Sequence, residues 1–579
     1  METVREDVPF EITHKILKEK EFCNPLIQEE NLNFSNVILE TFQSNPNFIG
    51  QVDAETGEQN TFQQMREKSV TCAIWMQRMS IRPNDVITIC THNQLDAYVP
   101  FLAALYIGAI ANPLDEHLIT LENLIYFLKQ TNPKMIFIDE KFIKAVLKFK
   151  YYREITNIAT FRDSHRTKIV LFGETKTVIV KRMTLKSILK SNYNPEWINN
   201  FSCTKFLNMK ETIIKLFTPG TTASPKLIEI PRSALFAPLD QLAPYMCEND
   251  VGLWFESLGF INGIFMTIRA IISHVKVIKI RSKFNTEIAC KLIQQFKVTW
   301  AFFETTLFTQ LVNSDALEKC DISSLRTIVY SGSHVVPKLF FGFKNLANTV
   351  QNIIQTYSMT ETGIIAYEQY PGKDESCGYV SRNVKLKINP INFLRNKMSN
   401  IFAPNIIGEI YCSSPYMMRK NHKTVTYNEE FNIHWFKTGD LGYYNEHGKI
   451  YVIGRINQQF IYNEQCVVFP KIIQSLLENH SAVFETVVIP IYLPFDLKDY
   501  RYSMAFVTKI PGKEVTQEEL KQLVETFCKS RDKFKYIKLY VDVKFVREFP
   551  RTPNGKIYQK LLHNWVQQYS IKIQRKNKY

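Results

Sequence analysis

The chain has 579 residues, and at roughly 150 residues per domain that length suggests about four folding units. Hydrophobic residues make up 45% and charged residues 22%, which excludes gross disorder, collagen and low-complexity scaffolds. The formal charge of +15 is spread along the chain except for a basic tail of Lys572, Arg575, Lys576 and Lys578; it suits an anionic small molecule, and the tail leaves room for peripheral contact with an acidic membrane.

In chain order, the opening METVREDVPF is charged and lacks the apolar stretch of a secretory leader. Strands are expected at Val86–Cys90, Met135–Ile138, Ile213–Phe217, Val275–Ile280, Thr299–Phe303, Thr327–Ser331 and Ile353–Thr356. Helical patterns lie between them at Asp96–Ile107, Thr286–Phe296 and Pro337–Asn348. Strands alternating with helices predict an α/β fold with parallel sheets flanked by helices, whose ligand loops sit at the carboxyl ends of the strands. The most apolar run, Ala97–Ala111, contains Pro100 and falls short of the ~20 residues of a membrane span. From about residue 377 to 454 short strands take over (Val384–Ile388, Gly408–Cys412, Gly442–Tyr444, Lys449–Ile453), with a hairpin turn at Asn445–Gly448. Beyond Arg455 a helix near Pro470, strands at Val487–Ile489 and Met504–Val507 and a helix near Thr516–Ser530 predict a small mobile α+β domain. The expected division is a large domain over 1–454, with a β-rich subdomain at about 377–454, and a small one over 455–579. The 11 cysteines show no C-x-x-C pair or zinc spacing, as reduced core thiols of an intracellular protein would.

Five stretches carry candidate chemistry. Leu216–Lys226 runs from a strand into a loop of small and hydroxyl residues ending in Pro225-Lys226. Small residues let backbone N–H groups approach phosphate, and the lysine adds charge; a plain surface turn has the same composition. Tyr357-Ser358-Met359-Thr360-Glu361 offers an aromatic ring for a base and a carboxylate for magnesium, although Thr360 before Glu361 also reads as a helix N-cap. Thr438-Gly439-Asp440 places a short acid where it can bridge two ribose hydroxyls, or makes a simple turn. Gly454-Arg455 falls at the domain junction, and Pro550–Ile557 presents Lys556 after a Pro/Gly turn that also suits a solvated helix start.

The order and spacing of these five stretches resemble the adenylate-forming superfamily, in particular the insect luciferase-like and 4-coumarate–CoA ligase-like acyl-CoA synthetases. The resemblance implies activation of a carboxylic acid by ATP to an acyl-adenylate, then transfer to coenzyme A, with magnesium as cofactor. It implies that Thr218, Thr221, Thr222 and Lys226 cradle the phosphates and that Tyr357 lies against adenine. Thr360 would touch the α-phosphate, Glu361 would hold magnesium, and Asp440 assisted by Arg455 would bind the ribose. Lys556 would bridge the carboxylate and α-phosphate during adenylation. Ser331-Gly332-Ser333-His334 resembles the adenine and acyl-pocket loop, and Ser257-Leu258-Gly259-Phe260 the acid-binding segment.

The chain departs from the family pattern at defined places. In the phosphate loop Pro219 stands for serine, and Ala223 and Leu227 stand for glycines, which removes one N–H donor and resists positive φ. Leu258 stands where histidine is frequent, and Thr356 and Ser358 flank the tyrosine in place of glycines. At the domain crossover Asn457 replaces the hinge lysine, Ile461 the lysine that serves thioester formation, and Glu464 the glycine that lines the coenzyme A tunnel. The expected activity is therefore an AMP-forming acid–thiol ligase, with a medium- or long-chain fatty acid as the expected substrate and an aryl acid as its alternative. The alternatives are adenylation without efficient transfer and an impaired member that only binds nucleotide or acyl ligand. No nucleic-acid partner is expected. The chain ends Asn577-Lys578-Tyr579 rather than in a peroxisomal S-K-L, so the cytoplasm is the default location.

Overall fold

The computed structural model describes residues 11–12, 33–139, 142, 168–172, 183–191, 193–205, 208–218, 225–241, 246–332, 343, 349–368, 376–390, 404–418, 425–428, 433–457, 460–462, 466–468, 470–492, 501–530, 541–550, 557, 561–562 and 564–565. Two sheets dominate. A seven-stranded sheet carries Val86–Thr91 at its centre, between Ile110–Asp115 and Met135–Asp139, all parallel. Its edge hairpin, Thr212–Thr218 with Lys226–Pro231, is antiparallel. A nine-stranded sheet holds Val251–Leu253, Lys276–Lys279, Trp300–Glu304, Thr327–Ser331 and Asn352–Met359 in parallel, closed by the antiparallel Gly363–Glu368.

The packing follows from a period of two along each strand. Met135 and Phe137 enter the main core with the helices Phe62–Arg78 and Tyr98–Ile107, while Ile136 and Ile138 face the other way onto Leu124, Phe127 and Leu128. In the nine-stranded sheet Trp300 and Phe302 meet Met266 and Ala270 of the helix Ile261–Ile272, while Ala301 and Phe303 face the helices Thr286–Phe296 and Thr305–Val312. Both sheets are therefore covered on both faces, which is why their strands read as continuous apolar runs.

The β-rich part is a six-stranded antiparallel sheet built from Glu11–Ile12, Lys385–Pro390, Gly408–Ser413, Val425–Asn428, Ile433–Tyr444 and Ile450–Arg455. The expected hairpin turn closes with Gly448 N donating to Asn445 O at 2.9 Å. Further along, Val483–Tyr492, Arg501–Lys509 and Val541–Phe545 form a three-stranded sheet. Val488 and Ala505 pack beneath the helices Pro470–Glu478 and Gln517–Ser530, and Val487 and Phe506 pack against Phe549 and Leu562.

Three expectations need comment. The Thr360-Glu361 pair does not start a helix; it forms the turn between Asn352–Met359 and Gly363–Glu368, which pair in register at Met359 and Gly363. Tertiary pairing outweighs the local N-cap preference there. The strand expected at Gly442–Tyr444 is the end of a 12-residue strand, and the helix expected over Pro337–Asn348 lies outside the described residues apart from Phe343. Cys72, Cys90, Cys203, Cys247, Cys290, Cys320, Cys377 and Cys412 are free, and no helix among the described residues is long and apolar enough to cross a membrane.

One buried charge sits between the two large sheets. Lys279 is 5% exposed, its Nζ donates to Asn93 Oδ1 at 2.9 Å, and it lies 5.4 Å from the centre of the Trp254 ring. Burial pushes the amine down from 10.5 to about 7. Between pH 7 and 10.5 the unfolded chain therefore binds a proton that the folded chain does not, so stability rises with pH across that window and the penalty is complete below it. Chemical denaturation of Lys279→Met should lose this slope, a difference on the order of 4 kcal/mol from one end of the window to the other.

Candidate active site

The site is assembled from strand ends. Asn352–Met359 is buried as far as Thr356 and then emerges, so Tyr357 and Ser358 stand at the carboxyl edge of the nine-stranded sheet. Beside it Ser331 ends its strand, with its hydroxyl 3.1 Å from Thr356 O and 3.0 Å from Ser358 Oγ. Gly332 follows at φ 115, close to Glu304. The turn 360–362 is held from the six-stranded sheet by Met418 N, which donates to Glu361 O at 2.7 Å.

Asp440 reaches the site through a bulge. Tyr411 pairs with Lys437 and Glu409 with Leu441, so Thr438, Gly439 and Asp440 stand opposite Ile410 alone. Gly439 takes φ 73, which a side chain would resist. Thr438 Oγ1 donates to Ile410 O at 2.7 Å and accepts from Asp440 N at 3.0 Å. The extra residues re-aim Asp440, the usual effect of a bulge. Its side chain is 6% exposed, and both carboxylate oxygens are engaged: Tyr357 Oη donates to Oδ2 at 2.6 Å and Arg455 Nε to Oδ1 at 2.9 Å. Arg455 is the register partner of Asp440 on the neighbouring strand and also donates to Thr438 O at 3.1 Å.

The electrostatics tie these groups to the turn. Burial raises the Glu361 carboxyl above its usual range, Arg455 and Lys226 pull it back down, and Asp440 pushes it up. Burial likewise raises Asp440, opposed by Arg455 and by Tyr357. Tyr357 is raised by burial and by the carboxylate it serves. Lys226 is the register partner of Thr218 at the mouth of the edge hairpin, and Tyr126 Oη holds the loop end by donating to Pro225 O at 2.9 Å.

Of the residues expected from sequence, Lys226, Tyr357, Glu361, Asp440 and Arg455 thus share one electrostatic environment, with Thr360 in the same turn as Glu361 and Thr218 opposite Lys226. Ser257, Leu258, Gly259 and Phe260 follow the strand Val251–Leu253 at the same edge of the nine-stranded sheet. Thr221, Thr222, Ser333, His334, Glu464 and Lys556 lie outside the described residues, and Ile461 is described only as part of the strand Phe460–Tyr462. Thr438 was legible as the first residue of T-G-D but not as the brace of its bulge. Tyr126 lies 99 residues from the proline it holds and gave no sequence signal. No group of three or more potential metal ligands occurs among the described residues. A single carboxylate such as Glu361 nevertheless suits magnesium, which takes most of its remaining ligands from phosphate and water.

The AMP-binding enzyme profile matches residues 39–420, and the AMP-binding enzyme C-terminal domain profile matches residues 473–556. 4-Coumarate–CoA ligase 1 of Petroselinum crispum is 26% identical over 530 residues, spanning 88% of this chain and 89% of that protein. Luciferin 4-monooxygenase of Nipponoluciola cruciata is 24% identical over 523 residues, spanning 88% and 90%. The structure of the anthranilate CoA ligase AuaEII in complex with anthranoyl-AMP shares the fold, with a TM-score of 0.74 at 17% identity over 94% of this chain and 99% of that one.

Arg455→Ala leaves a buried carboxylate without its cation. Unfolding at pH 8 should show a loss of about 1–2 kcal/mol, the cost of stranding a buried acceptor discounted for the half-exposed arginine. The loss should shrink as pH falls through the raised Asp440 pKa, because the protonated acid no longer needs the charge.

Proposed function

The chain belongs to the AMP-binding enzyme family, and on that premise we propose that it joins a carboxylic acid to ATP as an acyl-adenylate, with release of pyrophosphate, and passes the acyl group to coenzyme A. The observation that supports this reading is the company of Glu361: Lys226 and Arg455 act on it as cations and Asp440 as an anion, from three separate strands. Two anions, a carboxylate and a triphosphate, must meet for adenylation, so cations and a metal-holding carboxylate in one cleft supply the dominant requirement, charge neutralisation with positioning. In this reading Thr218, Thr221, Thr222 and Lys226 hold the phosphates, Tyr357 meets the adenine, Asp440 and Arg455 take the ribose, and Glu361 holds magnesium. Lys556 is the cation that approaches the carboxylate and α-phosphate.

The acid is assigned as hydrophobic, a medium- or long-chain fatty acid, on the apolar character of Leu258 and Phe260. The printed name of the Petroselinum relative puts an aryl acid in the same test panel. A second reading, adenylation with poor thioester formation, is favoured by Ile461 and Glu464 at the crossover.

ATP–pyrophosphate exchange with fatty and aryl acids, followed by thioester detection, tests both. Acid-dependent exchange is expected, and its absence with every acid defeats the assignment. Lys556→Ala should cut exchange at least about 100-fold, the lower end of the effect of removing one preorganised donor at a reacting oxygen, while sparing thioester formation from supplied acyl-adenylate. Glu464→Gly should raise the yield of thioester per adenylate formed, as measured by single-turnover quenching. An unchanged yield would remove Glu464 as the obstruction.

A further inference from the structure

A second polar system lies away from the nucleotide side, where the two large sheets face each other at their carboxyl edges. Asp115 ends the strand Ile110–Asp115, and His92 and Asn93 follow the strand Val86–Thr91 beside it. All three are buried, at 5%, 5% and 3% exposure. Asp115 Oδ2 lies 3.0 Å from His92 Nδ1, and Oδ1 accepts from His117 N at 2.7 Å. Ser257, which comes from the other sheet, stands beside them: a Cβ added at Gly259 would lie 3.2 Å from both Asp115 Cβ and Ser257 Oγ. Ser257 Oγ in turn accepts from Gly259 N at 3.1 Å. Gly259 packs so closely that an added Cβ would sit 2.7 Å from Asp115 N. One turn back, Asn93 Nδ2 donates to Trp254 O at 2.8 Å while its Oδ1 accepts from Lys279. Arg281 extends the same seam, with Nε and Nη2 each 3.2 Å from the carboxylate of Glu116.

The Asn93, Lys279 and Arg281 bonds cross from one sheet to the other, and two contacts reach the backbone from Trp254 to Gly259: Asn93 at Trp254 O and Asp115 at Gly259. Burial alone would raise the Asp115 carboxyl, but His92, Ser257 and the His117 amide together hold it below its usual range. The residue is thus an ionised acceptor, and its bonds are of the stronger, charge-assisted kind.

We propose that Asp115 and Asn93 are positioning residues that clasp the Trp254–Gly259 segment of one sheet to the other sheet and so fix where the acid lies. The proposal rests on the reading of Ser257–Phe260 as the acid-facing segment. It goes beyond that reading by assigning the segment's placement to residues of the opposite sheet that belong to none of the five nucleotide stretches. The clasp acts on acid binding alone, because the phosphate and ribose groups hang on separate strands.

The test uses the full chain with Asp115→Ala, Asp115→Asn and Asn93→Ala, the last leaving the His92–Asp115 pair in place. Amide hydrogen exchange over residues 254–260 should speed up at least about tenfold in both alanine variants, the equivalent of one lost bond to a charged group. The strands Ile433–Tyr444 and Ile450–Arg455 should be unaffected, and Asp115→Asn, which keeps an acceptor, should recover most of the protection. In pyrophosphate exchange the KM for acid should rise about tenfold, with kcat and the KM for ATP within about twofold. Unchanged amide exchange over 254–260, or acid and ATP KM rising together, would overturn the clasp. An inactive wild-type chain would refute the proposed function instead, and the amide exchange would still decide the clasp.

Discussion

A carboxylate placed inside a protein must be met by donors or give up its charge. Asp440 is met by two, and their origins dictate the local architecture. Tyr357 arrives on the last parallel strand of the nine-stranded sheet, and Arg455 on the strand next to Asp440 in the six-stranded sheet. The two sheets must therefore abut at this point. The bulge at Thr438–Asp440 gives up regular pairing to aim the acid at that junction. Raised pKa values at both Asp440 and Glu361 show that burial outweighs the neighbouring cations.

The strands and helices of the two large sheets were legible because their apolar residues alternate between two covered faces. Met135 to Ile138 show this plainly, feeding two different cores in turn. The motif residues were legible as strings of letters. Their conformations were not: Thr360-Glu361 looks like a helix start, and only pairing between residues 352–359 and 363–368 makes it a turn. Thr438-Gly439-Asp440 looks like a turn and is a bulge inside a long strand. Asn93 and Asp115 gave no legible trace, since neither belongs to a motif and they meet the Trp254–Gly259 segment only when two sheets are stacked.

The two polar systems divide the carboxyl edges between them. Around Asp440 the charges are partly open, with Arg455 half exposed. Around Asp115 the pair with His92 is closed off at 4% and 6% side-chain exposure. A half-open charge can exchange protein partners for ligand, whereas a fully enclosed one held by His92 and the His117 amide acts as a fixed strut. The apolar cores below both sites supply the stiffness, because close-packed interiors transmit displacement rather than absorb it.

The edge hairpin has a consequence of its own. Thr218 and Lys226 face each other in register, so the span between the two ends of the intervening segment is fixed by strand pairing at roughly 5 Å. Substitution, insertion or deletion within that segment leaves the root where it is. Drift in composition, such as proline at 219 and alanine at 223 in place of serine and glycine, can then accumulate between the paired ends while the lysine at the base keeps its address.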